Sequence, residues 1–348
     1  MPENQKIRIN MLSAAQSVPG QGVGSAYAEL VRLIQEYGQD CIELSINRGI
    51  RYDILHAVTV EPRNYLKFMF ARCPRVMHVH FMPDTLDGSV HLPSLAFRVF
   101  KKYVIRFYKK ADLLVVVNPS LIPAMTAAGL DERKIRYIPN FVSKQHFYPL
   151  SPTEKAAARD TRQLSEEDFV VLGAGQMQTR KGISDFIETA KSLPDMKFIW
   201  AGGFSFGAIT DGYDRIRELM RNAPKNVIFT GIVSREEMNQ LYNIADVYFS
   251  PSYNELFPMT VLESASCGTP ILLRDLELYR PILDGRYLCG KNNEDFKKDL
   301  TKLKQDRLFY QSMVLAAEKI AEEYSEENVW RQWKDLYEDI CCHKGKEK

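Results

Sequence analysis

Ser250-Pro-Ser-Tyr-Asn-Glu-Leu-Phe-Pro-Met-Thr-Val-Leu-Glu263-Ser-Ala-Ser-Cys-Gly268-Thr-Pro-Ile271 is the stretch from which the fold of this chain is read. The apolar run Val247–Ser250 before it has strand length, and a polar loop carrying Glu255 follows. Pro258 suits the first position of a helix, because its fixed φ matches that site and no hydrogen-bonding N–H is lost there. Glu263 falls inside the helix, and Gly268 with Pro270 ends it ahead of a second apolar run, Pro270–Leu273. Strand, loop, helix and strand in this order are the unit of a parallel sheet. The N–H groups and positive dipole end of such a helix suit a pyrophosphate. Two acids eight residues apart are ordinarily a solvated helix face. Here the strand, loop, proline and small-residue helix end favour two carboxylates flanking an anion site, able to accept hydrogen bonds from hydroxyls on either side.

The same alternation extends over the whole chain. Ile7–Leu12, Cys41–Ile46, Ile54–Ala57, Val76–His80, Leu113–Asn118 and Arg136–Pro139 are strand candidates, and a helix runs from about Gly24 to Tyr37. After Pro149-Leu-Ser-Pro152, taken as a linker, the pattern restarts with Phe169–Gly173, Lys197–Ala201 and Asn226–Thr230. The expectation is α/β, with two doubly wound domains over residues 1–150 and 151–325, and ligands held at the carboxyl ends of strands in the cleft between them. Val329, Trp333, Leu336 and Ile340 recur at helical spacing, so a final helix over about 326–348 is expected to pack back on the first domain.

Composition agrees with a two-domain globular protein. The chain has 348 residues, 45% hydrophobic and 26% charged. Its longest aliphatic run, Leu113–Val117, is far short of the roughly 20 apolar residues that span a bilayer. No charged-then-apolar leader opens the sequence, so secretion is not expected. The six cysteines form no C-x-x-C pair, which argues against a disulfide framework or zinc ribbon. The net charge of +2 conceals an asymmetry, because residues 62–110 hold ten cations and two anions. Such a bias points to an anionic partner or surface.

Four further segments bear on function. Gly173-Ala-Gly-Gln-Met-Gln-Thr-Arg180-Lys181-Gly182 combines close-approach glycines with cations ahead of a helix, which suits phosphate, although an ordinary strand–helix turn reads similarly. Gly20-Gln-Gly22-Val-Gly24-Ser lacks the G-x-G-x-x-G spacing of a dinucleotide site. In Val76-Met-His-Val-His80 the two-residue period puts His78 and His80 on one face of a strand, with no third metal ligand recognisable nearby. From Leu95 to Lys110, Phe97, Phe100, Val104 and Phe107 gather on one side of a helix. Arg98, Lys101, Lys102, Arg106 and Lys109 gather on the other. Either the aromatic side packs on the sheet and the cations are its wet face, or the helix lies on an anionic membrane. Arg63, Lys67, Phe68, Phe70, Arg72 and Arg75 form a second basic-aromatic patch and favour the membrane. No nucleic-acid-binding module accompanies these cations.

Glu255 and Glu263, in an E-x7-E arrangement, with the glycine turn that ends in Arg180-Lys181, resemble family 4 retaining glycosyltransferases. The resemblance covers most of the chain and is densest from Val170 to Asp284. It implies the GT-B fold and a UDP-sugar donor with no cofactor, and because the sequence has no Asp-x-Asp triplet a required divalent metal is not expected. It implies that Glu255 contacts the transferred sugar, Glu263 the ribose, and the segment around Phe257, Met259 and Thr260 the diphosphate. Lys181 matches the family's diphosphate-binding lysine, while Gln176 stands where an arginine is usual, so either Arg180 supplies the charge or the donor's charge is compensated more weakly. By the same resemblance, Gly22 and Gly24 line the cleft, His80 contacts the sugar, and Val233 offers its backbone to the uracil. The expected catalytic set is His80, Glu255 and Lys181. His78-Val-His-Phe-Met-Pro-Asp-Thr-Leu-Asp-Gly-Ser and the basic helix resemble the glycolipid branch of the family. That branch implies galactose or glucose passed from UDP-galactose or UDP-glucose to glucosyl-diacylglycerol, at the cytoplasmic side of the cell membrane. Two alternatives stay open: a soluble GT-B enzyme with a polysaccharide or small-molecule acceptor, and a nucleotide-sugar-binding or epimerase-like protein.

Overall fold

Strands and helices alternate along the chain and build two six-stranded sheets, parallel throughout, in a computed structural model that describes residues 6–14, 22–49, 51–83, 94–204, 207, 210–255 and 257–344. The chain divides into two compact units. One comprises Met1–Phe141 with Glu326–Lys348, and the other Val142–Ser325.

The first unit contains β1 (Ile7–Leu12), β2 (Ile42–Ile46), β3 (Ile54–Ala57), β4 (Arg75–Val79), β5 (Leu113–Val116) and β6 (Ile135–Tyr137), in the order β2-β1-β3-β4-β5-β6. Strands covered by helices on both faces need apolar side chains at successive positions, which is why Leu114, Val115 and Val116 are all buried. Ile9 and Met11 pack with Tyr27, Leu30 and Leu33 of helix Gly22–Tyr37. The same core holds Val329, Trp333, Leu336 and Tyr337 of helix Glu326–Lys344, although hundreds of residues separate these segments in sequence. Arg32 bridges the two helices through an ion pair with Glu326 and also pairs with Glu29 and Glu36 of its own helix. Beneath the last helix lie three buried imidazoles. His56 and His78 sit 5.2 and 5.3 Å from the Trp333 ring, and the His80 ring lies tilted 4.2 Å from that of His78. The His56 Nδ1 shares a hydrogen bond with the Tyr337 hydroxyl (2.9 Å).

The second unit contains β7 (Phe169–Ala174), β8 (Met196–Ala201), β9 (Val227–Gly231), β10 (Val247–Ser250), β11 (Ile271–Arg274) and β12 (Leu288–Gly290), in the order β12-β11-β10-β7-β8-β9. The strand order therefore reverses between β7 and β10, which are paired in parallel. At such a reversal the connections leave in opposite directions and open a crevice at the carboxyl ends of the two strands. Phe186, ringed by Phe198, Trp200 and Phe249, anchors helix Ile183–Ser192 to this sheet.

Pro149–Pro152 is not a free linker. Asn239 accepts a hydrogen bond from the Tyr148 N–H (3.0 Å), and Asn243 accepts one from the Leu150 N–H (2.7 Å). Ser151 caps helix Pro152–Thr161 in a capping box with Glu154. These bonds fix the segment to the second unit, and the division of the chain falls earlier, after Phe141. The edge strand β12 was not expected from the sequence; three residues are too few to show a period.

Candidate active site

The loops after β7 and β10, the strands flanking the reversal, carry the two strongest motifs. After β7 the chain passes through Gly175 and Gln176 into the turn Thr179–Lys181, then through Gly182 into helix Ile183–Ser192. After β10 it runs through Pro251 to Glu255, then through Phe257 and Pro258 into helix Met259–Ser266. Pro258 is the cap of that helix and not its first residue, because its extended ψ of 116° lies outside the helical range.

The two loops are sewn together by backbone. The Tyr253 N–H donates to the Arg180 carbonyl (2.8 Å), and the Ser252 hydroxyl donates to the same oxygen (3.0 Å). Arg180 Nη1 in turn donates to the Asn254 carbonyl (3.1 Å), and its Nε donates to the Gln178 side chain (2.9 Å), which donates to Gln176 (3.0 Å). Gly182 permits this approach, since at φ 71° a Cβ there would lie 2.3 Å from the Pro251 carbonyl oxygen. The result brings the Lys181 ammonium into an ion pair with the Glu255 carboxylate, both largely buried.

Below the loops, the buried Tyr242 hydroxyl donates to Glu263 Oε2 (2.8 Å), which fixes the second acid on its helix. Burial raises the Tyr242 hydroxyl well above its ordinary pKa, so it remains a donor. The Tyr248 hydroxyl likewise donates to Thr260 Oγ1 (2.7 Å) in the first turn of the helix. The N–H groups of Met259 and Thr260 have no acceptor within their own helix, as at any helix start. Together the crevice offers a lysine, an arginine, a helix N-terminus and two oriented carboxylates. This inventory can hold a diphosphate flanked by two hydroxyl-bearing groups.

Glu255, Glu263, Lys181, Arg180, Gln176, Phe257, Met259 and Thr260 thus belong to the two segments around one strand reversal. Val233 lies after β9 at the sheet edge, beside Ser234, the cap of helix Arg235–Ile244. Its neighbour Ile232 reaches within 3.0 Å of where a Cβ on Gly203 would stand. His80, Gly22 and Gly24 belong to the first unit. His80 follows β4 and is buried, and burial lowers its pKa to about 4, so the ring is neutral. Gly22 is the first residue of its helix, and most of the loop before it lies outside the described residues, as do residues 84–89 of the His78–Ser89 motif. Tyr242 and Tyr248 are not singled out by the sequence. Among the described residues, no three His, Cys, Asp or Glu side chains gather into a metal-ligating group.

In the first unit, helix Ser94–Tyr108 buries Val104, Phe107 and Tyr108 and leaves Phe97 and Phe100 half-buried. Leu95 and Val99 are 72% and 62% exposed, among the exposed cations Arg98, Lys102, Arg106 and Lys109; Lys101 is half-buried. Phe68 corrects the reading of the second patch, since it is wholly buried edge-on to Phe107 (5.1 Å). The exposed apolar residues of helix Pro62–Phe70 are Leu66, Met69 and Phe70. No helix among the described residues is long and apolar enough to cross a membrane.

Residues 154–320 match the family Glycosyl transferases group 1, and residues 23–146 match Glycosyltransferase Family 4. The chain is 46% identical to an alpha-galactosylglucosyldiacylglycerol synthase of Streptococcus pneumoniae, over 97% of this chain and 90% of that one. It is 28% identical to a processive diacylglycerol alpha-glucosyltransferase of Acholeplasma laidlawii, over 96% and 98% of the two chains. Among solved structures, Anabaena HepE in complex with UDP and glucose superposes with a TM-score of 0.74 at 17% identity, over 95% of this chain and 99% of that one. A sucrose-phosphate synthase of Thermosynechococcus elongatus superposes with a TM-score of 0.79 at 15% identity, over 97% and 100%.

Proposed function

The chain belongs to glycosyltransferase family 4, with its GT-B fold, and we propose that it transfers galactose from UDP-galactose to glucosyl-diacylglycerol, making a diglycosyl-diacylglycerol. The observation that carries this reading is the near-full-length identity of 46% to the pneumococcal synthase, in a chain whose Lys181–Glu255 pair stands at the strand reversal of the second sheet.

In this reading the second unit holds the donor. Lys181, Arg180 and the N–H groups of Met259 and Thr260 receive the diphosphate and stabilise the negative charge that grows on it as UDP departs. Glu263, held by Tyr242, accepts from the ribose hydroxyls. Glu255 accepts from the hydroxyls of the transferred sugar and orients it. The acceptor hydroxyl attacks the anomeric carbon on the face from which UDP leaves, so configuration is retained. Its proton passes to the departing β-phosphate, and no residue is glycosylated.

The first unit is assigned to the membrane side. The cations of helix Ser94–Tyr108, with Arg63 and Arg72 of the adjoining segment, favour an anionic leaflet, and exposed Leu66, Met69, Phe70, Leu95 and Val99 supply apolar contact with it. This supports peripheral attachment at the surface where the lipid acceptor resides.

The test is incubation with labelled UDP-galactose, and separately UDP-glucose, and α-glucosyl-diacylglycerol in anionic vesicles, with the product identified by mass and NMR. A diglycosyl lipid that disappears with Glu255→Ala and Lys181→Ala supports the reading. Wild-type inactivity with both donors overturns it.

A further inference from the structure

Arg274, the last residue of β11, is the one cation in an otherwise apolar strand, and it is buried. Each of its three nitrogens bonds a different segment. Nε donates to the Pro251 carbonyl (2.9 Å), Nη1 to the Lys291 carbonyl (2.9 Å), and Nη2 to the Asp185 carboxylate (2.7 Å). The guanidinium also lies 4.0 Å from the centre of the Tyr253 ring and 5.3 Å from that of Phe296. Asp185 is in the first turn of the helix that follows Lys181 and Gly182, and Tyr253 hydrogen-bonds to it. Pro251 and Tyr253 lie on the loop that delivers Glu255. One side chain therefore grips the Glu255 loop, the start of the helix behind Lys181, and the end of β12.

We propose that Arg274 is a positioning residue, which with Asp185 fixes the Glu255 loop against the Lys181 turn without touching the substrate. The proposal rests on the reading that Lys181 and Glu255 handle the donor. The chemistry requires arginine. Only a planar fork presents donors in three fixed directions at once. A lysine in its place would reach fewer of these acceptors and leave buried carbonyls unpaired. Because Gly182 already meets Pro251 backbone to backbone, loosening the grip shifts the loop that carries the sugar-orienting carboxylate relative to the phosphate-binding cation.

The test compares Arg274→Lys and Asp185→Asn with the wild type in three measurements. These are kcat and KM for UDP-galactose with vesicle-borne acceptor, UDP affinity by calorimetry, and hydrogen exchange of the peptide spanning 251–255. The expected result is a fall in kcat per folded molecule of about 100-fold, the scale of a misplacement near 1 Å, with UDP affinity within about threefold. Exchange of 251–255 accelerates, including the Tyr253 amide. A merely structural role would lower the melting temperature and leave kcat per folded molecule unchanged; that result in both variants overturns the proposal. If Arg274→Lys does not fold, Asp185→Asn decides by the same criteria. If the wild type transfers nothing, the donor reading fails, and exchange alone decides: faster exchange upholds the clamp and unchanged exchange overturns it.

Discussion

Lys181 and Glu255, 74 residues apart in sequence, form an ion pair across the boundary between β7 and β10. On the proposed reading, a donor diphosphate competes with the carboxylate already on the lysine, and the displaced carboxylate is freed to meet a sugar hydroxyl. On that reading the pair couples diphosphate binding to sugar orientation.

Glu255→Gln keeps the shape and removes the competing charge. Its kcat is expected to fall by about 100-fold or more, the scale of losing one oriented polar group at a reacting centre, while UDP binds as tightly as before or more tightly. Lys181→Ala is expected to lose on both counts. Steady-state kinetics with UDP calorimetry check the contrast, and weaker UDP binding in Glu255→Gln would contradict the coupling.

Attachment to vesicles is expected to depend on the wet face of helix Ser94–Tyr108. Each cation near an anionic surface contributes about 1 kcal/mol, so replacing Arg98, Lys102 and Arg106 with Gln should weaken partitioning about 100-fold. Replacing Leu66 and Phe70 with Ser should remove the part of the binding that survives high salt. Flotation on vesicles of graded anionic content measures both, and unchanged flotation of the triple variant would reject the surface.

Stability is expected to decline with acid because of the imidazole cluster. Burial lowers His56 to about 3 and His80 to about 4 from an ordinary 6.5, and His78 well below it. The fold holds these rings neutral, while the unfolded chain binds protons below pH about 6.5. The unfolded state then carries more protons, so this contribution is complete above pH about 6.5 and is lost as pH falls towards about 4. Between pH 6.5 and 5 the loss is roughly 1.5 kcal/mol for a ring such as His56 or His80. Urea midpoints at pH 7 and pH 5 measure it, and His56→Gln should flatten the slope.

Trp333→Ala tests the last helix. Trp333 is fully buried, stacked on Tyr337 at 5.5 Å and packed on His56 and His78. Its truncation is expected to destabilise the first unit by about 3–5 kcal/mol, read by chemical denaturation.

The strands were legible because a strand buried on both faces must be apolar throughout, and runs such as Leu113–Val116 admit little else. Glu255 and Glu263 were legible because a strand, a proline and a helix end bracket them within one short segment. What the sequence hid was pairing across distance. Nothing local announces that Lys181 meets Glu255, that His56 joins His78 under Trp333, or that Tyr242 holds Glu263. The basic helix was half legible: its periodicity located the buried Val104 and Phe107, but not that Leu95 and Val99 stand exposed among the cations. Arg274 left one signal, a lone charge ending an apolar strand.

The first unit is assembled from both ends of the chain, and this sets an order on its birth. As the polypeptide leaves the ribosome from its amino terminus, residues up to Phe141 emerge long before the segment bearing Trp333. The second unit is contiguous and can complete its own core in the meantime. The portion made first is therefore the last to be finished, because His56 and His78 stay uncovered until the helix bearing Trp333 docks on them.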